Sequence, residues 1–245
     1  MNSPRKVAIV TGASRGIGAE IARRLVADGF AVAINYANSA TDAENLAEQL
    51  VAAGGVAAAI QADVASPDDV RRLFDATEHH LGKVDVLVNN AGVMTTMPLA
   101  ETSDEVFERT FAINTRGTFN TLREASKRMN DGGRVINFST TALALKLPGY
   151  AIYNASKAAV ESLTHVFAKE LRGRNITVNA VAPGPVATEL FLNGKTEGQI
   201  RHFASLPPLQ RLGEPEDIAN VVSFLAGPGS GWINGQTLRA NGGIA

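Results

Sequence analysis

Tyr153 and Lys157 stand four residues apart in the stretch Tyr153-Asn154-Ala155-Ser156-Lys157. On a helix that spacing is about one turn, and both side chains leave the same face. A tyrosine has an ordinary pKa of about 10 and is a poor proton donor or base near neutrality. An ammonium beside it stabilises the phenolate and lowers that pKa. The pair is therefore expected to form an acid/base catalyst from a residue that rarely serves as one. The same spacing also fits a solvated helix face, so the rest of the chain must supply a reacting partner and a place to hold it.

The elements that would position the pair alternate regularly. Short apolar runs at Val7–Val10, Ala31–Tyr36, Val56–Gln61, Val84–Val88, Arg134–Phe138 and Thr177–Val181 read as strands, with a last short one at Gln236–Arg239. Helical patterns fall at Ile17–Ala27, Ala40–Ala53, Pro67–Leu81, Asp104–Met129, Ala151–Arg172 and Glu216–Ala226. Gly54-Gly55 supplies a helix stop, and Ser66-Pro67 supplies a capped start with proline in the first helical position. Apolar strands alternating with helices imply a parallel sheet covered on both faces. The expected fold is α/β: one Rossmann-type domain over residues 1–245, doubly wound around about seven parallel strands. No repeat, low-complexity tract or linker divides it. The irregular stretch from Pro183 to about Pro215, with a short polar helical piece, follows a strand end, where such sheets bind ligands. It reads as a substrate lid or as a surface insertion.

The composition narrows the function classes. The 245 residues are 45% hydrophobic and 19% charged, with a net charge of −1, which suits a globular domain with ample core. That balance argues against nucleic-acid or membrane-surface binding. The absence of cysteine excludes disulfides and thiol catalysis. His79, His80, His165 and His202 have no metal-ligand spacing, so no metal is expected. The polar segment Met1–Lys6 has no signal-peptide character, and the chain has no long apolar span. The expectation is a soluble, cytoplasmic protein.

A cofactor site is expected after the first strand. Thr11-Gly12-Ala13-Ser14-Arg15-Gly16-Ile17-Gly18 sets Gly12, Gly16 and Gly18 at a strand-to-helix turn. There a backbone without side chains admits a diphosphate, and the helix N-terminus stabilises it. NAD selectivity would call for an acidic residue about 20 positions on, to bind the adenosine ribose. That window holds Asn35, Tyr36 and Ala37, none acidic. Arg15 in the loop can face a 2′-phosphate, and Asn38 and Ser39 add donors. NADP(H) is therefore expected in preference to NAD(H).

With the glycine loop, Asn89-Asn90-Ala91-Gly92 after the fourth strand and Tyr153-x-x-x-Lys157, the chain resembles the short-chain dehydrogenase/reductase family. The resemblance spans essentially the whole length, including Asp63-Val64, Pro183-Gly184-Pro185-Val186 with Thr188, and Gly213-Glu214-Pro215-Glu216-Asp217. It implies that Asp63 and Val64 contact the adenine, that Asn90, Ala91 and Gly92 line the cofactor, and that Pro183, Gly184, Val186 and Thr188 surround the nicotinamide. It makes Tyr153 the proton donor, with Lys157 lowering its pKa and holding the nicotinamide ribose. Asn114 would position a water that joins Lys157 to solvent; a polar residue bending a helix is the alternative. It also implies a homotetramer joined through the helices near Asp104–Met129 and Ala151–Arg172 and through the C-terminal strand.

The chain departs from the family at two places. Thr140 stands where relatives usually have serine, flanked by Ser139 and Thr141. Thr140 is assigned the serine's role, with Ser139 as the alternative. Arg239-Ala240-Asn241-Gly242-Gly243 replaces the usual Val-Asp-Gly-Gly. The substrate pocket is expected between Leu143–Tyr150 and Phe191–Phe203, using Leu143, Leu145, Leu147, Leu190, Phe191, Leu192 and Phe203, with Tyr150 and Met94 added. The same leucines also suit core or interface. The leading expectation is an NADPH-dependent reductase of a medium-sized apolar carbonyl compound, resembling 3-oxoacyl carrier-protein reductases. An alcohol, sugar or steroid dehydrogenase working oxidatively and a catalytically silent dinucleotide-binding protein are the alternatives.

Overall fold

In the computed structural model, residues 5–245 are described; positions 1–4 of the polar N-terminal segment lie outside them. The strands are β1 (Val7–Val10), β2 (Ala31–Tyr36), β3 (Val56–Gln61), β4 (Val84–Asn89), β5 (Arg134–Phe138), β6 (Thr177–Pro183) and β7 (Thr237–Ala240). They form a seven-stranded sheet in the order β3-β2-β1-β4-β5-β6-β7, and every pairing is parallel. Between them run α1 (Gly16–Ala27), α2 (Ala40–Ala52), α3 (Pro67–His80), α4 (Asp104–Phe111), α5 (Gly117–Arg128), α6 (Ala142–Leu145), α7 (Ala151–Glu170), α8 (Glu189–Leu192), α9 (Glu197–Ser205) and α10 (Pro215–Ala226).

The near-continuous apolar strands follow from burial on both faces. Ala8, Val10, Val86, Val88 and Ile136 point to one side, where they meet Ile21 and Leu25 of α1, Leu46 of α2 and Ile218 and Val222 of α10. Ile9, Leu87 and Val135 point to the other side, against Leu73 and Phe74 of α3, Leu122 of α5 and Phe167 of α7. The strand order changes direction between β1 and β4, and in such sheets the ligand crevice opens there, beyond the C-terminal strand ends. Both glycine-bearing turns of the sequence, Gly12–Gly18 and Asn89–Gly92, follow these two strands.

Three local features differ from the expectations. The helix expected over Asp104–Met129 is interrupted at Ala112–Arg116 by a single wider π-turn, between α4 and α5. Periodicity does not register one inserted residue, although such turns are common at functional sites. The segment after Pro183 holds two short helices, α8 and α9; α9 is started by a capping box between Thr196 and Gln199. The short helix α6 went unanticipated, because four residues are too few to show a period. Among the described residues, no helix is long and apolar enough to cross a membrane.

Candidate active site

Tyr153 and Lys157 both lie on α7, as the spacing predicts, and both line a cleft above the C-terminal ends of β4, β5 and β6. Lys157 is buried, and its Nζ donates to the carbonyl of Phe138, the last residue of β5, at 2.8 Å. Burial pushes the Lys157 ammonium down to about 8. Tyr153 is half-buried by its surface, yet desolvation dominates its phenol. Burial pushes it up to about 12, with the neighbouring Thr140 hydroxyl opposing that rise. The net position of the phenol is therefore above its ordinary value, not below it as the lysine alone would place it. Desolvation outweighs the lysine, whose charge is itself disfavoured and directed at a backbone carbonyl.

Asn114 lies in the π-turn, fully buried. Its Oδ1 accepts from Val93 N at 2.8 Å, and its Nδ2 donates to Val93 O at 2.9 Å and to Ser156 Oγ at 3.0 Å. Thr115 Oγ1 donates to the carbonyl of Ser156 at 3.0 Å. The wider turn thus aims two consecutive side chains at α7 between Tyr153 and Lys157. A Cβ on Gly92 would fall 3.3 Å from Asn114 Oδ1 and 3.4 Å from Lys157 Nζ, so this glycine keeps the space between them open. The Asn114 side chain acts as a clamp between the turn after β4 and α7, and its backbone carbonyl accepts from Thr118 Oγ1.

The three adjacent hydroxyls separate cleanly. Ser139 Oγ donates to Glu161 Oε1 on α7 at 2.6 Å. Thr141 Oγ1 donates to Ala182 O at 3.0 Å and accepts from Asn241 Nδ2 at 3.2 Å. Thr140 Oγ1 accepts only a short-range bond from Ala142 N at 3.2 Å and lies beside Tyr153 in the cleft. Asn241, in the C-terminal stretch that departs from the family pattern, therefore braces the strand end behind Thr140.

At the glycine turn the backbone is packed too closely for side chains. A Cβ on Gly18 would lie 2.4 Å from Gly12 O, and one on Gly12, at φ +60°, 2.9 Å from Ala91 Cα. Asn90 Nδ2 donates to the carbonyls of Thr11 and Gly12 at 2.9 and 3.0 Å. Asn35, in the window where NAD selectivity calls for an acidic residue, is buried; its Oδ1 accepts from Gly12 N and its Nδ2 donates to Ile60 O and Ala62 O. It braces the loop and is not free to meet a ribose. The first turn of α1 has no side-chain cap and no acidic residue, and α2 likewise has no side-chain cap from Ser39. Free amide donors and a cradle without Cβ atoms fit a dinucleotide diphosphate. Ser14 and Arg15 flank that turn, and Asn38 and Asp63 line a separate hollow with Ile113. Val64, expected beside the adenine, is buried against Gly117 and does not line that hollow.

The cleft continues as a mainly apolar chamber enclosing about 140 Å³. Met94, Leu145, Leu147, Tyr150, Leu190, Phe191 and Phe203 line it, together with Ile17, Pro183, Gly184, Val186 and Thr188. Leu143 and Leu192, expected in the pocket, are not among its lining residues. Each sits on a helix of only four residues, too short for its inward face to be read from spacing.

A family model described as Enoyl-(Acyl carrier protein) reductase matches residues 12–245. A short-chain type dehydrogenase/reductase of Picea abies is 46% identical, over 97% of this chain and 92% of its own. The chain belongs to the short-chain dehydrogenase/reductase family. An NADPH-dependent aldehyde reductase-like chloroplastic protein of Arabidopsis thaliana is 43% identical, over 97% and 93% of the two chains. A blue fluorescent protein from a metagenomic library, solved in complex with NADPH, superposes with a TM-score of 0.93 at 41% identity, covering 98% of each chain. As a short-chain dehydrogenase/reductase, the protein is an oxidoreductase.

In this short-chain dehydrogenase/reductase, Tyr153, Lys157 and Thr140 line one cleft, and Asn114 reaches α7 through Ser156. Sequence reasoning missed Ser156, Thr115, Glu161 and the Phe138 carbonyl. Ser156 lay between two residues already singled out, one turn from Tyr153, and that position was the available signal. The others act through backbone groups or across elements, where spacing carries no trace.

Proposed function

We propose that this enzyme reduces ketone or aldehyde carbonyls with NADPH, Tyr153 supplying the proton. The observation that carries this reading is the meeting of Tyr153, Lys157 and Thr140 in one mainly apolar cleft beside the glycine cradle. The dinucleotide would supply the hydride. Gly12, Gly16, Ile17 and Gly18 would hold its diphosphate, with Ser14, and Arg15, Asn38 and Ser39 a 2′-phosphate. Asp63 and Val64 would flank its adenine, and Asn90, Ala91 and Gly92 its ribose. Pro183, Gly184, Val186 and Thr188 would enclose the nicotinamide. Thr140 and the Tyr153 hydroxyl converge on the position of a substrate oxygen, and donors fixed there stabilise negative charge as it forms. Tyr153 is protonated through the neutral range, as a general acid must be; its raised pKa makes it a weaker donor, but the alkoxide left by hydride transfer is basic enough to take the proton. The reductive direction is therefore favoured near pH 7, and oxidation should accelerate as the pH rises.

The apolar walls suit an uncharged, medium-sized carbonyl compound, enclosed by residues 183–215 as the lid of a single domain. A panel of ketones and aldehydes assayed with NADPH and NADH side by side tests the reading. Preference for NADH would refute the cofactor assignment, and binding without turnover on any substrate would favour a silent binding protein. Thr140→Ala is expected to lower turnover by about 100-fold, in the range of a lost charge-stabilising donor. Ser139→Ala should lower it much less; a loss confined to Ser139→Ala would move the role to Ser139.

We also propose a cytoplasmic homotetramer. Phe107, Phe119 and Val166 are exposed on α4, α5 and α7, and Phe224 and Trp232 on α10 and before β7. Exposed apolar side chains on these two sets of elements support two interfaces, which together would close a four-subunit assembly. Sedimentation should give about four times the 25.7 kDa chain mass; a monomer alone would contradict the assignment.

A further inference from the structure

Arg15 has a partner that the sequence did not indicate. Its Nη1 lies 3.1 Å from Glu189 Oε2. Glu189 opens α8, the helix that brings Leu190 and Phe191 to the substrate chamber, and Thr188 caps that helix by accepting from Phe191 N at 3.3 Å. A Cβ on Gly16 would meet Thr188 Cγ2 at 3.6 Å, so the start of the lid rests directly on the glycine turn. Arg15, Arg23, Asp42, Asn45, Gln49 and Glu189 line one hollow, which runs from the lid to the first turns of α2. Arg15 can therefore turn to Glu189 on the lid side or to an anion bound near the start of α2. Of the other charged groups there, Arg23 approaches Glu20 at 3.5 Å, and Asp42 repels an anion as Glu189 does.

We propose that Glu189 is an internal competitor for Arg15 and a determinant of cofactor selectivity. A dinucleotide carrying a 2′-phosphate has to draw the guanidinium away from the Glu189 carboxylate, whereas one without the phosphate leaves that ion pair in place. Glu189 thus lowers the affinity for NADPH and leaves the affinity for NADH unchanged. This rests on the reading of Arg15 as the 2′-phosphate ligand. Because both side chains are solvent-exposed, the competition has the modest size of an exposed ion pair, a factor of about three to five in affinity.

The test measures dissociation constants for NADPH and NADH by calorimetry on the wild-type protein, Glu189→Gln, Arg15→Ala and the double variant. Glu189→Gln is expected to tighten NADPH about three- to five-fold and to leave NADH within experimental scatter. In the Arg15→Ala background the same substitution should gain much less, since the competed group is gone. Equal tightening of both dinucleotides, no tightening of either, or full tightening without Arg15 would each overturn the proposal. The wild-type ratio of the two constants tests the cofactor assignment by itself. An NADPH preference with no response to Glu189→Gln would leave that assignment standing and remove only the competitor.

Discussion

Replacing Tyr153 with phenylalanine is expected to lower the turnover number about 1,000-fold while NADPH affinity changes by less than about two-fold, the range expected for a positioned proton donor. The substitution deletes one oxygen from a wall whose ring contacts remain, including the edge-to-face approach of Tyr150 at 6.4 Å. The fold should therefore be unaffected. What disappears is the phenolic proton, in place at neutral pH with Thr140 beside it. Turnover and dissociation constants measured on the same preparation check this. A variant that retained a tenth of the activity would show that the proton comes from elsewhere.

The second large effect concerns Lys157, where activity and stability should move in opposite directions. Lys157→Met is expected to reduce turnover by at least about 100-fold, because no ammonium remains to stabilise a developing phenolate. It should also make the protein harder to unfold at pH 6. Burial lowers the folded-state value from 10.5 to about 8, so the fold binds this proton less tightly than the unfolded chain does. Below pH 8 the wild-type protein carries the whole penalty, on the order of 3 kcal/mol at 1.36 kcal/mol per pH unit. Losing the hydrogen bond to Phe138 O offsets roughly 1 kcal/mol of the gain. The melting temperature at pH 6 should rise by about 5 °C, using 2–4 °C per kcal/mol for a chain of this size. The difference should shrink as the pH climbs from 8 to 10.5, where the native lysine is neutral and the unfolded one is still charged. Melting curves across that range decide it; a variant less stable than wild type at pH 6 would mean that the ammonium is held favourably. The reductive activity of the wild-type protein should likewise fall as the pH passes about 8 and Lys157 loses its charge.

The parts of this enzyme that were legible in its sequence are those governed by local periodicity. The strands around Val7, Ala31 and Val84 are apolar throughout because both faces of the sheet are covered, and the glycine turn stands where the backbone leaves no room for a Cβ. Tyr153 and Lys157 were legible because an unbroken helix fixes their relation. Asn114 was identified by resemblance, but its conformation was not, because a π-turn inserts one residue without disturbing the polar pattern around it. The assignment among Ser139, Thr140 and Thr141 depended on partners far along the chain: Glu161 for the first, Ala182 and Asn241 for the last. The protonation behaviour was the least accessible. Two residues four apart predict attraction between them, whereas burial of both decides their titration.

The most direct test of carbonyl reduction at this site is the transfer of deuterium from deuterated NADPH to a ketone of the substrate panel. Mass spectrometry should find one deuterium on the carbinol carbon of the product with the wild-type protein and about a thousandth as much product with Tyr153→Phe. Bound cofactor with no deuterium transferred to any carbonyl compound, or equal transfer by the two proteins, would contradict the account.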